Sequence, residues 1–448
     1  MNITFYGASE QVTGSQYLVQ STQTTLLVDS GLFQGSGDNW KENFADFSFD
    51  PQTVDALVLT HAHLDHCGRI PKLVREGFSG KIIGTAPTLE LARLILEDSV
   101  RIIEEHAIEQ GMPQLYSVED VSAATELFHP ISYHEKTLVG DIAIELYDAG
   151  HILGSSIVVL ESESKRVVFS GDLGNAPVPL LYPTEYIESA DLVVMESTYG
   201  GRIHEDVATR TAELKAIIAE TVNAGGVLMI PAFALERTQE LLFEMNKMVE
   251  RKEIPDVPIY LDSPLAINAT NVFLRYPEYL NDETQLKMKG DNIFDFPGLL
   301  MTESVAKSKM INHAPAPKII IAGSGMAEGG RIVKHIERYI GSPQNHYLII
   351  GYQVEGTLGR ALRDGEKIVK INGQEFEVNA KVSAIGGYSA HADQDKLTDW
   401  LLHMNQSRLK QVCITHGELE QATAFKQHIE EHVSASVTIP HVGQVITV

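Results

Sequence analysis

The chain has 448 residues, of which 60 are acidic and 35 basic, so its formal net charge is −25 at pH 7. With 44% hydrophobic and 21% charged residues, the composition excludes disordered and fibrous proteins, and the length favours two domains. The acidic balance also excludes a protein that coats nucleic acid through its overall charge, although a local basic groove stays open.

The numbers of cysteines and histidines, with the length of the apolar runs, further limit the class of protein. The chain has two cysteines, so a disulfide framework is excluded and a reducing, cytoplasmic location is expected. Its apolar runs are shorter than the roughly 18 residues of a membrane helix and its start does not resemble a signal peptide, so no membrane partner is expected. The 17 histidines stand out because histidine is the commonest metal ligand.

Short apolar segments that end in turn residues predict strands through the first half of the chain. These are residues 25–28, 56–59, 81–84, 142–147, 156–160, 166–169 and 192–195. Apolar positions at helical spacing, from about Thr88 to Glu109, predict one long helix among them.

After about His204 strands and helices alternate, which is typical of a doubly wound α/β unit with a parallel sheet. From about Glu375 the earlier pattern of short strands resumes. We therefore predict an α/β protein in which residues 1–204 and 371–448 form one discontinuous domain. Residues 205–370 would form a second α/β domain inserted into it.

The strongest chemical signal is the segment 60–68, Thr-His-Ala-His-Leu-Asp-His-Cys-Gly, which directly follows a predicted strand. It places His61, His63, Asp65 and His66 within six residues. A sharp loop at the carboxyl edge of a sheet can turn all four inward. Imidazole with carboxylate suits zinc, and two such pairs suit two metals in one site. A histidine-rich surface loop is the alternative, but it does not explain why the block follows a strand.

Three more candidate ligands have the same context, each just after a predicted strand. They are His151, flanked by glycines, Asp172 in Phe-Ser-Gly-Asp, and His416 in Ile-Thr-His-Gly. Any one of them alone would be read as a capping or solvated residue. Together with the block at 61–66 they become candidate metal ligands.

With Asp29, these segments resemble the five motifs of the metallo-β-lactamase superfamily in order and rough spacing. The resemblance implies an αββα sandwich that binds two Zn²⁺ ions. It implies one ion held by His61, His63 and His151, and a second held by Asp65, His66 and His416. Asp172 would bridge the ions, with a hydroxide between them, and Asp29 would orient the ligand loop from behind. His63 stands where the diiron flavoproteins of the superfamily carry glutamate, which favours zinc over iron.

Two further motifs indicate the branch of the superfamily. Glu196, in Met-Glu-Ser-Thr-Tyr-Gly, and His391, in Gly-Tyr-Ser-Ala-His-Ala-Asp, resemble with His416 the three extra motifs of the β-CASP nucleases. That group includes compact bacterial and archaeal RNA-processing enzymes, and the inserted region corresponds to its β-CASP domain. RNA-acting members tend to have histidine at the position of His416 and DNA-repair members valine. The resemblance therefore implies single-stranded RNA as the substrate.

The residue types fit a two-metal phosphodiesterase. Asp65, beside a metal-activated water, can orient it or accept its proton. His391 is the candidate acid for the leaving oxygen, and Glu196 would hold its ring and raise its pKa. We expect a zinc-dependent ribonuclease that uses a hydroxide activated by two metals. It would cleave internally, and a second activity from the 5′ end stays open.

Weaker signals concern the substrate. A glycine-rich junction after a predicted strand makes Ser324 and Arg331 candidate donors to RNA phosphates, and Ser389 is a similar candidate. The third glycine of this junction comes one residue late for a dinucleotide fingerprint and the acidic partner is missing, so no nucleotide cofactor is expected. A basic strip is expected to offset the net charge locally, from Arg331, Lys334, Arg360 and Arg363. The cysteines, Cys67 and Cys413, are predicted to be small buried hydrophobes.

Two other functions stay open. A metallo-hydrolase of a smaller substrate, such as a thioester, a lactone or a small phosphodiester, would use the same ligands, but such members lack the Glu196 and His391 motifs and the inserted domain. A non-catalytic RNA-processing scaffold usually loses several ligands, whereas this chain has all seven. Homo-oligomerisation, partner subunits and the biological RNA stay open as well.

Overall fold

The computed structural model describes residues 1–35, 38–175, 177–204, 207–351, 353–354 and 356–448. The chain divides into two compact units, one made of Met1–Ile203 with His391–Val448 and the other of His204–Ala390. Within the described ranges no helix is both long enough and apolar enough to cross a membrane.

The first unit opens with strands that are joined by turns and helices. Its strands up to residue 203 are β1 (Asn2–Phe5), β2 (Tyr17–Gln20), β3 (Thr25–Val28), β4 (Ala56–Val58), β5 (Lys81–Gly84), β6 (Phe128–Pro130), β7 (Thr137–Val139), β8 (Ile142–Asp148), β9 (Ser156–Ser162), β10 (Lys165–Phe169) and β11 (Leu192–Glu196). Its helices over this range are α1 (Asp38–Lys41), α2 (Leu64–Cys67), α3 (Ile70–Arg75), α4 (Ala86–Glu109) and α5 (Val118–Glu126).

Strands and helices alternate through most of the second unit, as predicted. Its strands are β12 (Val227–Pro231), β13 (Ile259–Asp262), β14 (Leu299–Met301), β15 (Lys318–Ala322), β16 (His346–Ile349), β17 (Ile368–Ile371), β18 (Gln374–Glu377) and β19 (Lys381–Ala384). Its helices are α6 (Val207–Asn223), α7 (Arg237–Glu250), α8 (Pro264–Arg275), α9 (Asp282–Met288), α10 (Val305–Ile311), α11 (Gly330–Tyr339) and α12 (Leu358–Arg363).

The chain then returns to the first unit. The elements of this last segment are α13 (Gln394–Leu402), β20 (Gln411–Thr415), α14 (Leu419–Glu430), β21 (Ser436–Thr438) and β22 (Val445–Thr447). Short 3-10 turns lie at Glu42–Phe44, Pro51–Thr53, Pro277–Tyr279 and Gly386–Tyr388.

Two sheets pack face to face in the first unit. Among the described residues their strand orders are β22-β1-β2-β3-β4-β5-β6 and β21-β20-β11-β10-β9-β8-β7. Side chains alternate between the two faces of a strand, and the inward set forms one apolar core. Val158 and Leu160 of β9 lie in that core with Ile3 and Phe5 of β1. Cys413 of β20 is part of the same core, which confirms its predicted role as a small hydrophobe.

The alternate side chains of the second sheet face outward and are covered by helices. Ile157 and Val159 of β9 form a second core with Trp400 of α13 and Phe425 of α14. At the first sheet, helix α5 contacts both α3 and α4, and α4 contacts β6. The layers are therefore helix, sheet, sheet and helix, and the predicted αββα sandwich is confirmed.

The second unit is built on a parallel sheet with the strand order β14-β13-β15-β12-β16-β19. Strand β15 is buried along its whole length, as expected for a strand of a sheet that is covered on both faces. Ile320 of β15 packs with Ile332 and Ile336 of α11. The α/β interpretation of this region is confirmed.

The two compact units divide after Ala390, whereas our predicted boundary lies after residue 370. The hairpin β17–β18 and the strand β19 belong to the second unit, which ends at Ala390. Strand β19 extends the parallel sheet, with Lys381 opposite His346 and Ala384 opposite Ile349. Strand β19 is therefore the edge of the parallel sheet, whereas β17 and β18 form a separate two-stranded sheet.

Replacing Phe425 by alanine should lower the free energy of unfolding of the first unit by about 3–5 kcal/mol, because a large buried aromatic group would leave a cavity. Phe425 is fully buried, whereas Leu419 on the same helix is 52% exposed. The control Leu419→Ala should change the free energy by less than about 0.5 kcal/mol. Denaturant unfolding measures both, and equal effects of the two substitutions would contradict this packing.

Candidate metal centre and acid–base pair

The predicted ligands stand at strand ends on one edge of the sandwich. Strands β10, β11 and β20 are adjacent and parallel in the second sheet. The residues at or just after their carboxyl ends, Asp172, Glu196 and His416, therefore come out side by side. Strands β3 and β4 are likewise adjacent and parallel in the first sheet, and they lead into Asp29 and His61. Carboxyl ends of strands are where α/β folds place their sites.

The ligand block at residues 61–66 is held by the backbone of two earlier segments. The Ser30 N–H donates to the carbonyl of His66 at 2.8 Å, and the Ser15 N–H donates to the carbonyl of Asp65 at 2.9 Å. A Cβ atom at Gly31 would lie 1.6 Å from the Asp65 carbonyl oxygen. Glycine is therefore required where these two backbones meet.

His61, His63, His151 and Asp172 converge in a first group of potential ligand atoms. His63 Nδ1 lies 3.1 Å from His61 Nε2 and 3.3 Å from His151 Nε2. Asp172 Oδ2 lies 3.3 Å from His61 Nε2 and 3.6 Å from His151 Nε2. Ligand atoms that are about 2.0–2.1 Å from a tetrahedral zinc ion lie about 3.3 Å from one another. The spacings of the first group fit one such ion.

Asp65, His66 and His416 form a second group. His416 Nε2 lies 2.9 Å from His66 Nε2 and 3.6 Å from Asp65 Oδ2. The other oxygen of Asp172, Oδ1, lies 2.9 Å from His416 Nε2 and 3.4 Å from His66 Nε2. Asp172 thus gives one carboxylate oxygen to each group.

The burial of these atoms fits a bound metal. Asp172 Oδ1 is buried and accepts no hydrogen bond, which is costly for a carboxylate oxygen without a cation beside it. Burial lowers the pKa of His61, and it lowers the pKa values of His63 and His151 far more. These imidazoles are therefore neutral, which is the form that binds metal. The seven predicted ligands are brought together and fit a metal cofactor.

Asp29 lies behind the second group and touches one of its histidines. Its Oδ2 accepts a hydrogen bond from His66 Nδ1 at 2.7 Å, so His66 Nε2 is the ring nitrogen that faces the group. Burial is the largest influence on the pKa of His66 and lowers it, but Asp172 and Asp29 outweigh burial and raise it well above its usual value. The carboxylates around His66 therefore favour positive charge at this point.

His391 stands beside the first group and is paired with Glu196. Its Nδ1 lies 3.2 Å from both oxygens of the Glu196 carboxylate and 3.8 Å from Asp172 Oδ2. Burial lowers the pKa of His391, but Glu196 and Asp172 outweigh it and raise the pKa to about 9. Glu196 is itself fixed, because its Oε1 accepts the backbone N–H of Leu173 at 2.7 Å. The His391 side chain is 19% exposed while that of Glu196 is buried, so the imidazole is held from behind by a carboxylate that favours its charged form.

The residues predicted to contact substrate phosphates belong to the second unit. The guanidinium of Arg331 already donates to Asp262 Oδ1 at 2.7 Å and to the carbonyl of Thr302 at 2.7 Å. The Ser324 hydroxyl lies 3.5 Å from the Gly329 carbonyl, and the Ser389 N–H donates to a backbone carbonyl of the adjacent 3-10 turn. Their roles toward a substrate stay predictions.

The predicted basic strip is largely paired within the second unit. Lys334 contacts Glu337 at 3.1 Å, and Arg360 contacts Asp364 at 2.8 Å. Together with the Arg331–Asp262 pair, these contacts neutralise three of the four positive charges that we assigned to the strip.

Cys67 and Thr60 lie next to the candidate ligands, and the sequence predicted the role of Cys67 only. Cys67 is buried and its thiol donates to the Ala62 carbonyl at 3.5 Å, which confirms the predicted buried hydrophobe. The sequence predicts no role for Thr60, yet its hydroxyl lies 2.8 Å from Asp29 Oδ2 and 3.0 Å from His61 Nδ1. The sequence feature that could have indicated Thr60 is a hydroxyl residue at a strand end, directly before a candidate ligand.

Comparison with known proteins gives three matching family profiles along the chain. They are the metallo-beta-lactamase superfamily at residues 10–193, the Beta-Casp domain at 238–362 and the Zn-dependent metallo-hydrolase RNA specificity domain at 375–440. The third match begins before the second compact unit ends at Ala390, so the exact domain boundary stays a prediction.

Several curated proteins are similar over nearly the whole chain. Ribonuclease TTHA0252 of Thermus thermophilus is 39% identical over 426 residues, which is 95% of each chain. The RNase J-like protein of Methanocaldococcus jannaschii is 31% identical over 448 residues, 99% of each chain. The transcription termination factor FttA of Thermococcus kodakarensis is 32% identical over 98% of this chain and 70% of its own length. A solved structure from Enterococcus faecalis, of a protein of unknown function, shares the fold with a TM-score of 0.56 at 12% identity, covering 99% of both chains.

The fold and the site define a metal-dependent hydrolase. The αββα sandwich, the Asp172 carboxylate between the two groups and the Glu196–His391 pair, with the profile matches and the full-length relatives, identify its family. The chain belongs to the β-CASP family of the metallo-β-lactamase superfamily, as its motifs predicted.

Removing metal with a chelator should lower the thermal unfolding midpoint, and adding a divalent metal back should restore it. A metal that binds only the folded state stabilises it by RT ln(1 + [L]/Kd), which is about 2.7 kcal/mol at 100 times Kd. Calorimetry with and without chelator measures this. An unchanged midpoint in a chain shown to be metal-free would contradict a metal centre built from these buried groups.

Proposed function

We propose that this chain is a zinc-dependent ribonuclease that hydrolyses phosphodiester bonds of single-stranded RNA, chiefly within the strand. The observation that carries this proposal is the juxtaposition of two groups of candidate metal ligands, which share Asp172, with the His391 imidazole, whose Nδ1 lies 3.8 Å from the same carboxylate. Phosphodiester hydrolysis needs charge neutralisation, an activated water and a proton for the leaving oxygen. These groups supply all three at one place.

The two-zinc assignment is supported by the chemistry of the donors. Imidazole nitrogens and carboxylate oxygens suit zinc, and the spacings of the first group match a tetrahedral site. His61, His63 and His151 would hold one ion, Asp65, His66 and His416 the other, and Asp172 would contact both. When bound, the ions lower the pKa of a water molecule and neutralise charge on the phosphate.

The protein groups would then divide the proton transfers between them. Asp65 Oδ2, at the edge of the second group, can accept a hydrogen bond from the attacking water. His391 would donate its proton to the leaving oxygen through Nε2, because its Nδ1 is directed at Glu196. Glu196 does not reach the substrate in this scheme, and it keeps His391 charged and oriented.

RNA as the substrate is supported by two comparisons with known proteins. The profile at residues 375–440 is described as an RNA specificity domain, and relatives that match 95% or more of this chain are named ribonuclease and RNase J-like. His416 lies in the second group, and a histidine at this position favours RNA over DNA as the substrate. The proposal includes neither a nucleotide cofactor nor a membrane. A cytoplasmic location rests on the two free, buried cysteines.

The shared role of Asp172 predicts an asymmetric loss of metal on mutation. His151→Ala should remove one zinc ion per chain, because only the first group loses a ligand. Asp172→Ala should weaken both ions, because each group loses an oxygen. Elemental analysis of the purified variants gives zinc per chain, with wild type expected to hold two. Equal zinc content in the two variants would contradict the bridging role.

The His391–Glu196 pair predicts a change in the pH profile. Activity needs His391 protonated, so it should fall as the pH rises through the pKa of His391. Glu196→Gln removes the carboxylate that raises this pKa, so the alkaline limb of kcat/KM should move to lower pH. His391→Ala should lower kcat by about 10²–10⁴-fold. The exposed His432→Ala serves as a control with no expected effect, and an unmoved limb in Glu196→Gln would contradict the pairing.

A product-length assay on single-stranded RNA labelled at its 5′ end tests the proposed function directly. Discrete internal fragments from the zinc-loaded wild type, lost in His391→Ala, are the expected result. Release of labelled mononucleotide alone would make the enzyme a 5′ exonuclease with the same chemistry. No cleavage by the loaded wild type would overturn the RNA assignment in favour of a smaller substrate. If wild-type preparations, in which all seven candidate ligands are intact, contained no bound zinc, the result would favour a non-catalytic RNA-processing scaffold.

A further inference from the structure

The hydroxyl of Thr60 lies between the supporting carboxylate and a ligand histidine of the first group. Thr60 Oγ1 is 2.8 Å from Asp29 Oδ2 and 3.0 Å from His61 Nδ1. All three side chains are buried, with relative exposures of 1% or less. Thr60 is in neither ligand group, so none of the roles assigned above uses this hydroxyl.

The hydrogen bonds of this trio can be assigned from the donor inventory of each group. His61 directs Nε2 at His63 and Asp172 in the first group, so a neutral His61 that binds metal through Nε2 carries its proton on Nδ1. That N–H has Thr60 Oγ1 as its acceptor. The threonine proton is then directed at Asp29, because an ionised carboxylate only accepts.

Asp29 also supports the other group, through the same oxygen. Its Oδ2 accepts from His66 Nδ1 at 2.7 Å, and its Oδ1 accepts the Thr60 backbone N–H at 2.8 Å. The Thr60 hydroxyl is farther from His66 Nδ1, at 3.4 Å, so His66 is served by Asp29 directly. One carboxylate therefore reaches one histidine of each group, His66 by contact and His61 through Thr60.

We propose that Thr60 is a positioning residue whose hydroxyl fixes the tautomer and orientation of His61 and couples it to Asp29. The rotamer that this requires is restricted, since threonine is stiff at χ1 and its side chain packs under Gly171. A Cβ at Gly171 would lie 3.1 Å from Thr60 Cβ and 3.4 Å from its methyl carbon. Histidine ligands of metals are commonly oriented by such a partner on the far ring nitrogen. Here the Thr60 hydroxyl is that partner for His61, and it is held in turn by Asp29, whose carboxylate also contacts a histidine of the second group.

The test is a zinc titration of the full-length chain against a competing chelator, which resolves the two bound equivalents. Thr60→Val keeps the shape and removes the hydroxyl, and it should weaken one equivalent about tenfold or more. Thr60→Ser keeps the hydroxyl and should stay within about threefold of wild type. Thr415→Val is the matched control, because Thr415 is equally buried and its hydroxyl contacts Tyr17 and a backbone carbonyl, not a ligand histidine.

Wild-type affinity for both equivalents in Thr60→Val would overturn the proposal, as would equal losses in the valine and serine variants. Nitrogen-15 spectra of the histidine rings in the zinc-loaded wild type give a second readout that needs no variant. His61 should carry its proton on Nδ1, and a proton on Nε2 would overturn the assignment. The proposal rests on the proposed zinc centre but not on RNA cleavage. A wild type that binds no zinc would overturn the centre and this proposal together, whereas inactivity toward RNA would leave it standing.

Discussion

The carboxylate of Asp172 is the point on which the rest of the site depends. Each of its oxygens faces a different group of histidines, at 2.9 Å from His416 and 3.3 Å from His61, and the side chain is almost completely buried. An ionised carboxylate cannot be kept there without compensating positive charge. The side-by-side ends of β10, β11 and β20 put Asp172 between the ligands and the His391–Glu196 pair. The two groups of candidate metal ligands and the His391–Glu196 pair are therefore arranged around one buried negative charge.

The distribution of charge in the rest of the chain bears on how a negatively charged substrate could be bound. The net charge is −25, and three of the four arginine and lysine side chains that the sequence suggested for a basic strip are paired with acidic partners in the second unit, including Arg331 with Asp262. Nonspecific affinity for RNA normally comes from unpaired basic side chains. Under the proposed function, bound metal ions and the His391 imidazole would supply positive charge to a phosphate.

The site was predictable because its ligands lie in short local motifs, each after a strand that could be recognised by its apolar residues. Features that depend on distant pairing were not predictable. The register that joins β19 to β16, with Lys381 opposite His346, links strands that are not consecutive along the chain and places β19 in the parallel sheet. The glycines before Arg331 predict a phosphate donor, but that local pattern does not indicate its contact with Asp262, which lies 69 residues earlier. Helix α4 begins two residues before its predicted start and ends at the predicted residue, because its apolar spacing is a local signal. Its N-cap, Thr85, lies outside that apolar pattern.

Anomalous diffraction at the zinc edge from crystals of the zinc-loaded chain tests the central claim most directly. The account predicts two peaks about 3.5–4 Å apart, one on each side of the Asp172 carboxylate. The first should lie about 2.0–2.1 Å from the facing nitrogens of His61 and His151, and the second at the same distance from those of His66 and His416. A single peak, or a second ion held by Glu196 and His391, would contradict the assignment of Asp172 as the shared ligand and of His391 as the proton donor.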